Sequence, residues 1–288
     1  MTAAGPGVSV VVPTRDRPGA LSACLAALEQ QTAPAFEVVV VDDGSRDPGA
    51  VAAVVAGAPR ARLLRGGGRG PAAARNLGAA AARAPVVCFT DDDCRPGPGW
   101  IDALARSIDA GAAVVAGPTC NGRPGDAYGT ASQAITNHLV GASLDPATGR
   151  VAFAPTSNLA CRAEVHRSLP FDESYPLAAG EDRDWCARLA DHGIAIAFQP
   201  EAEVMHHQEL SLGRFWRQQV RYGRGAFRCH RDRGCGDRLQ PLRFYTGLLR
   251  GGFTRGVAAG LLVILAQVAT AVGIAGEALA ARRRTTAS

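Results

Sequence analysis

Lysine is absent from the 288 residues, so all 31 basic side chains are arginines. Together with 34 glycines, 18 prolines and abundant alanine, this reads as compositional bias. Other absences exclude more. The first seven residues hold no basic stretch, and the apolar run behind them has the length of a strand. No signal peptide is therefore expected, and the main domain is placed in the cytosol. None of the eight cysteines forms a Cys-x-x-Cys pair, and Cys88, Cys161 and Cys186 lie within or beside apolar segments. In a reducing compartment they are expected as small hydrophobes or free thiols. Cys229, His230 and Cys235, taken with His206 and His207, do not fall at the spacing of a zinc framework. No internal repeat is visible, which excludes a repeat array. The net charge of +5 is too small to argue for nucleic acid as a partner. With 47% apolar residues, disorder is excluded as well.

The first half of the chain alternates strand and helix patterns. Apolar runs at Val8–Val12, Glu37–Val41, Arg62–Leu64, Val86–Thr90 and Ala113–Ala116 read as strands. Helical spacing falls at Arg17–Gln31, Ala50–Ala56, Pro71–Arg83 and Gly99–Ala110, with Pro71 suited to a first turn. Such alternation predicts an α/β fold with a doubly wound, mostly parallel sheet whose ligands sit beyond the strands' C-terminal ends. Pro13, the pair Asp42-Asp43 and the triplet Asp91-Asp92-Asp93 all fall on that edge. Several carboxylates at the end of a buried strand are costly unless a cation meets them. The hard oxygen ligands suit Mg²⁺ or Mn²⁺ sharing its shell with a phosphate. A surface turn with one Asp capping the next helix is the plainer alternative.

Residues 119–150 are punctuated by Gly and Pro around a helix expected at Ala131–Leu139, and read as a variable insertion over the site. Strands are expected at Phe153–Cys161, Ile194–Phe198 and Ala202–Met205, and a helix from Glu181 to His192. Arg214, Arg217, Arg221, Arg224 and Arg228 recur at three- and four-residue steps, a basic helix face that suits an anionic membrane surface. The segment Gly256–Gly276 is apolar except for Gln267 and Thr270, has arginines on both flanks, and is long enough to span a bilayer or lie on it.

Val8-Ser9-Val10-Val11-Val12-Pro13-Thr14-Arg15-Asp16, Val39-Val40-Val41-Asp42-Asp43-Gly44-Ser45 and Ala74-Arg75-Asn76-Leu77-Gly78 resemble the family 2 glycosyltransferases of the GT-A fold. The acid triplet sits where that family has its DxD motif, and Gly180-Glu181-Asp182 before Trp185 resembles its later ED motif. The likeness runs from about residue 8 to 228 in the family's order. It implies inverting transfer of one sugar from a nucleotide-diphosphate donor to a glycan or lipid-linked acceptor, with a divalent metal, Mn²⁺ or Mg²⁺. Pro13, Thr14 and Arg15 would shape the nucleoside pocket, with Asp43 accepting hydrogen bonds from the base. Arg75, Asp91 and Asp92 would belong to the donor site, Asp91 near the ribose. Asp93, with Asp91 and His206, would hold the metal. Asp182 would be the general base, with Glu181 as its runner-up. The expected domain plan is a GT-A unit over 1–230, split at 118/119 into a nucleotide-sugar half and an acceptor half. A basic linker at 231–255 and an apolar, membrane-associated or transmembrane helix at 256–281 follow, which places the enzyme at the cytoplasmic membrane face.

Rival readings remain. Gly68-x-Gly70-x-x-Ala73 with Asp91 about twenty residues on imitates a dinucleotide-binding oxidoreductase, but it follows the third strand instead of the first. A nucleotidyltransferase would use the same metal–carboxylate logic, yet Pro13-Thr14-Arg15-Asp16-Arg17-Pro18 lacks the glycines of its phosphate loop. A non-catalytic scaffold would not need Asp93 and Asp182. The order Arg214-Phe215-Trp216-Arg217-Gln218-Gln219 departs from the Gln-x-x-Arg-Trp signature of processive relatives, so processive synthesis is not expected.

Overall fold

The computed structural model describes residues 7–33, 35–175, 179–233 and 240–285. The first strands and helices alternate as β1 (Val8–Thr14), α1 (Pro18–Glu29), β2 (Phe36–Asp42), α2 (Pro48–Ala56), β3 (Ala61–Arg65), α3 (Pro71–Ala80) and β4 (Val86–Phe89). Next come β5 (Cys94–Pro96), α4 (Trp100–Asp109), β6 (Val114–Ala116), β7 (Thr119–Asn121), α5 (Ala127–Ser143), β8 (Leu144–Asp145) and β9 (Arg150–Val151). The chain continues through β10 (Leu159–Arg162), α6 (Ala163–Ser168), α7 (Glu181–Asp191), β11 (Ile196–Phe198) and β12 (Val204–His206). Three helices close it: α8 (Leu212–Arg233), α9 (Leu242–Phe253) and α10 (Val257–Thr285).

The main sheet has nine strands in the order β3-β2-β1-β4-β10-β6-β11-β9-β8. β1, β2, β3 and β4 are mutually parallel, and β10 enters antiparallel between β4 and β6. β1 and β2 are buried at every position, as continuous valine runs covered on both faces require. One apolar layer packs α1, α2 and α4 on one face through Leu21, Leu28, Val51, Trp100 and Leu104. The other face is covered by α3, α6 and α7, through Ala74, Val165, Trp185 and Leu189 among others.

A second sheet, β5-β12-β7, sits at the edge where the acids emerge. It pairs His206 with Cys94, the residue after the acid triplet. The stretch expected as a strand over Phe153–Cys161 extends only from Leu159, because Thr156–Asn158 turn as a 3₁₀ segment. Residues 242–253, inside the stretch expected as a linker, are helical in α9 with Leu248 buried.

α8 and α10 touch backbone to backbone. A Cβ on Gly223 would lie 2.1 Å from the Thr270 carbonyl, and one on Gly273 would lie 2.0 Å from that of Val220. Gly256 and Gly260 do not supply this contact; Gly260 faces the Phe253 ring. α10 is therefore two-faced. Ala259, Val263, Ala266 and Ala269 are buried against the protein, whereas Val257, Leu261, Ile264, Val268, Val272 and Leu279 are exposed.

The thiol expectation holds for six cysteines, which are free. Cys229 departs from it and is disulfide-bonded. Cys235 lies outside the described residues.

Candidate active site

The strand ends deliver the acids to one edge. β1 and β4 run parallel in register from Val8 opposite Val86, so Thr14 and the residues after Phe89 emerge side by side. Thr14 Oγ1 donates to Asp92 Oδ2 at 2.7 Å, and Asp92 is fully buried. Burial, and the repulsion of Asp93, outweigh the nearby Arg17 charge and push the Asp92 carboxyl up to about 7. Asp92 thus acts as an internal brace that engages the Thr14 hydroxyl.

Arg17, which the sequence reading did not single out, is the site's own cation. Its Nη2 lies 2.6 Å from Asp92 Oδ1 and its Nη1 lies 2.7 Å from Asp93 Oδ2. Its position two residues past Arg15, in the loop leaving the first strand, was the available signal. Asp16 holds that loop with φ of 57°, in the left-handed region. Its carboxylate accepts from the Arg46 backbone N–H, and its own N–H donates to Ser45 Oγ.

Asp93 faces His206 across the two sheets. His206 Nε2 lies 3.2 Å from Asp93 Oδ1, an oxygen that makes no hydrogen bond. Burial works to raise Asp93, but His206 and Arg17 together hold it well below the ordinary carboxylate range. Burial likewise works to lower His206, and Asp93, with help from Asp91, outweighs it, so the imidazole is shifted up. The ligand atoms of Asp93, Cys94 and His206 all lie within 4.8 Å of one another. Cys94 is fully buried, and burial beside Asp93 and Asp91 keeps its thiol protonated. The usable donors are thus a carboxylate oxygen and an imidazole nitrogen, with Asp91 close by, a set that fits Mn²⁺ or Mg²⁺. His207, by contrast, donates its backbone N–H to the Asp93 carbonyl and lays its ring against Gly122.

A second cluster stands behind the first. Arg75 on α3 is 3% exposed, with Nη2 2.7 Å from Asp91 Oδ1 and Nη1 3.2 Å from Glu181 Oε1. Glu181 opens α7, whose first turn also carries Asp182 and Asp184, as the positive end of a helix dipole favours. Gly180 precedes it at φ of 99°, and a Cβ there would meet the Gly225 carbonyl at 2.9 Å, so only glycine fits. Burial and the Asp182 charge push Glu181 up to about 7 against the pull of Arg75. Burial also raises Asp182, with Arg183 opposing. Asp182 has no ion-pair partner among the described residues, and its Oδ1 accepts the Arg183 N–H at 2.8 Å. Asp184 points the other way, to Arg188 and Arg233.

Two cavities meet at these groups. A cleft of about 890 Å³ is lined by Asp91, Asp93, His206 and a wall of arginines that includes Arg95, Arg214, Arg217 and Arg221. The basic face of α8 therefore turns in part toward the site, and Arg228 pairs with Glu277 of α10 at 2.9 Å. The face expected to meet an anionic membrane surface thus also lines a cleft of the protein, while Arg214, Arg217 and Arg224 are exposed. An inner cavity of about 220 Å³ shares Asp91, His206, Gln208 and Tyr222 with the cleft, and adds Arg75, Glu181 and Asp182. Asp43 lies elsewhere. It lines a recess with Gly66, Gly67 and Arg69, and accepts the Arg69 and Gly70 N–H groups at 3.0 and 2.8 Å. Arg15 reaches the same loop, its Nη1 4.0 Å from where a Cβ on Gly68 would stand. Pro13 sits buried within β1, opposite Val41.

A mostly parallel sheet with an acid triplet at its edge, flanked by helices and closed by a small second sheet, is the architecture of the GT-A glycosyltransferases. The fold is similar to that of a mannosyltransferase from Pyrobaculum calidifontis solved in complex with GDP-Man and Mn²⁺. The TM-score is 0.59 at 21% identity, covering 99% of this chain and 81% of that one. Residues 9–163 match the Glycosyl transferase family 2 profile, and the chain belongs to that family. A pre-mycofactocin glycosyltransferase of Mycobacterium tuberculosis is 30% identical over 225 residues, 76% of this chain and 46% of the relative. The chain thus spans about half the length of that relative. Glycosyltransferase AglE of Haloferax volcanii is 28% identical over 232 residues, 78% of this chain and 74% of AglE.

Proposed function

We propose that the chain is a metal-dependent, inverting glycosyltransferase that moves one sugar from a nucleotide-diphosphate sugar to a glycan or lipid-linked acceptor at the cytosolic membrane face. The observation that carries this reading is the meeting of two unlike cavities: an arginine-walled cleft holding Asp93 and His206, and an inner cavity into which Asp182 reaches unpaired. An anionic diphosphate suits the first, and an acceptor hydroxyl with a base beside it suits the second.

Asp93 and His206 would hold the divalent ion, with Asp91 alongside. Bound there, such an ion neutralises and orients the diphosphate. Arg75 fixes Asp91 and Glu181 in place, which leaves Asp182 as the carboxylate free to work. Asp182 accepts the proton of the acceptor hydroxyl as its oxygen bonds to the anomeric carbon. The bond from that carbon to the diphosphate oxygen breaks on the opposite side, and the diphosphate leaves with the electron pair. Arg214, Arg217 and Arg221 face the leaving charge across the cleft. Burial that raises Asp182 makes it a stronger base than an exposed aspartate. The exposed apolar stripe of α10 supports contact with a membrane.

The test is a panel of nucleotide sugars titrated with and without Mn²⁺ on wild type, Asp93→Ala and Asp182→Asn. One donor is expected to bind tightly only with metal, and Asp93→Ala to abolish that metal dependence. Asp182→Asn is expected to bind the donor while transfer falls about 10²- to 10⁴-fold, the scale of a lost general base. Absence of donor binding under every metal condition would overturn the reading.

A further inference from the structure

Asp92 and Asp93 bring four carboxylate oxygens to the edge beyond β4, and three of them have partners. Asp92 Oδ2 accepts from Thr14 Oγ1 at 2.7 Å, and Asp92 Oδ1 faces Arg17 Nη2 at 2.6 Å. Asp93 Oδ2 accepts from Arg17 Nη1 at 2.7 Å. The fourth, Asp93 Oδ1, is buried without a hydrogen bond and looks across at His206 Nε2, 3.2 Å away. Asp91 is likewise engaged at one oxygen, Oδ1, by Arg75. Asp93 therefore has a single oxygen to offer a cation, and Arg17 holds the other.

The backbone that carries Arg17 is anchored on both sides. Before it, the Asp16 N–H donates to Ser45 Oγ at 2.8 Å, and the Asp16 carboxylate accepts the Arg46 N–H at 2.7 Å. After it, Pro18 opens α1, and the Leu21 N–H donates to the Arg17 carbonyl at 3.0 Å. A planar guanidinium that reaches two adjacent carboxylates fixes their orientation as a flexible ammonium would not.

That orientation bears on which ion the site takes. Ca²⁺ is large and readily engages both oxygens of one carboxylate, whereas Mg²⁺ and Mn²⁺ keep to a compact octahedron. Neighbouring ligands of an octahedron with bonds of about 2.1 Å stand about 3.0 Å apart. The separation of Asp93 Oδ1 and His206 Nε2 is close to that edge.

We propose that Arg17 determines the specificity of the metal site: by holding Asp93 Oδ2 it restricts Asp93 to one ligand oxygen, and so selects Mn²⁺ or Mg²⁺ against Ca²⁺. The inference rests on the reading above that Asp93 and His206 hold the ion. A role confined to charge has a different signature. Removing one positive charge strengthens all divalent cations alike, whereas freeing Oδ2 helps the ion that uses both oxygens.

The probe is the metal alone. Mn²⁺ binding to the full chain is followed by the electron paramagnetic resonance of the free ion, with Ca²⁺ titrated in as competitor. Wild type is expected to prefer Mn²⁺, and Asp93→Ala to lose both ions. Arg17→Gln is expected to tighten both but to shrink the preference for Mn²⁺ by about tenfold, through the gain of Ca²⁺. Arg17→Met serves where Arg17→Gln does not fold. A preference left unchanged in the variant, with both ions strengthened equally, overturns the proposal, because Arg17 would then act by charge alone. A wild type that binds Ca²⁺ as tightly as Mn²⁺ overturns it by itself. In either case Mn²⁺ binding that depends on Asp93 leaves the metal reading standing. If wild type binds neither ion, or Asp93→Ala binds both as before, the metal reading falls and this inference with it.

Discussion

Arg75 is the residue on which the site's internal order turns. It is buried and holds Asp91 and Glu181 with separate nitrogens. Arg75→Met should leave the buried Glu181 and the part-exposed Asp91 without their counter-charge. Breaking a buried pair in this way costs about 3–5 kcal/mol, to be read as a shift in the urea midpoint. A smaller loss would mean that water or Arg183 replaces it. The carboxyls also set a pH dependence in the metal-free chain. Asp92 and Glu181 are raised to about 7, and His206 is shifted upward as well. In each case the folded state holds its proton more tightly than the unfolded chain does. The stabilisation they contribute is full at low pH and is lost as pH rises through about 7. Thermal melts without metal should therefore fall from pH 5 to pH 8, and the double change Asp92→Asn with Glu181→Gln should flatten that slope. Added Mn²⁺ should oppose it, because metal binding displaces the proton on His206 and gains strength with pH. A slope left unchanged by the double variant would show that other groups dominate.

Among the elements, the contact between α8 and α10 is the most exacting. Gly223 and Gly273 let the two backbones meet with no room for a side chain. Gly273→Leu should push the helices apart, at about 1–3 kcal/mol for overpacking, and should widen the cavity beside Thr270. The check is a lowered melting temperature together with raised protease sensitivity of α10. A variant as stable as wild type would show that the two helices are free to slide. The basic face of α8 illustrates a general limit. Its arginine periodicity was legible, but periodicity reports only that the charges share a face. What that face meets was decided by β12 and the acid triplet coming to rest across from it.

At the scale of the whole molecule, α10 presents a row of exposed apolar side chains. At 29 residues it is about 43 Å long, enough to cross a bilayer by length and composition. One side is nonetheless spent on the protein, through Ala259, Val263, Ala266 and the ion pair of Glu277 with Arg228. A helix shared in this way is suited to lie in the interface plane, its outer stripe in the acyl boundary and Arg250, Arg255 and Arg282 at the headgroups. The chain should sediment with phosphatidylglycerol vesicles more than with phosphatidylcholine ones, and high salt should reduce the difference. Leu261→Asp with Val268→Asp should release it from both. Vesicle binding that the double variant leaves intact would overturn the in-plane arrangement.

The sequence by itself determined the alternating strands and helices, because burial on two faces demands continuous valine runs and burial on one face demands helical spacing. It also determined that Pro13, Asp42-Asp43 and Asp91–Asp93 share an edge, since parallel strands all end on the same side. Pattern and family order together singled out Arg75, Glu181, Asp182 and His206. Tertiary structure alone decided which groups they meet. Arg17 reaches Asp93 from 76 positions away, and nothing in local periodicity records which charges neutralise each other across elements. The small sheet that seats His206 opposite Asp93 is made of three-residue strands, of which only the one ending at His206 left a pattern in the sequence. That Arg75 pairs with Glu181 is set by how α3 and α7 come together. Gln267 and Thr270 interrupt an apolar run in the sequence, but only the packing of α10 on α8 turns them toward the site.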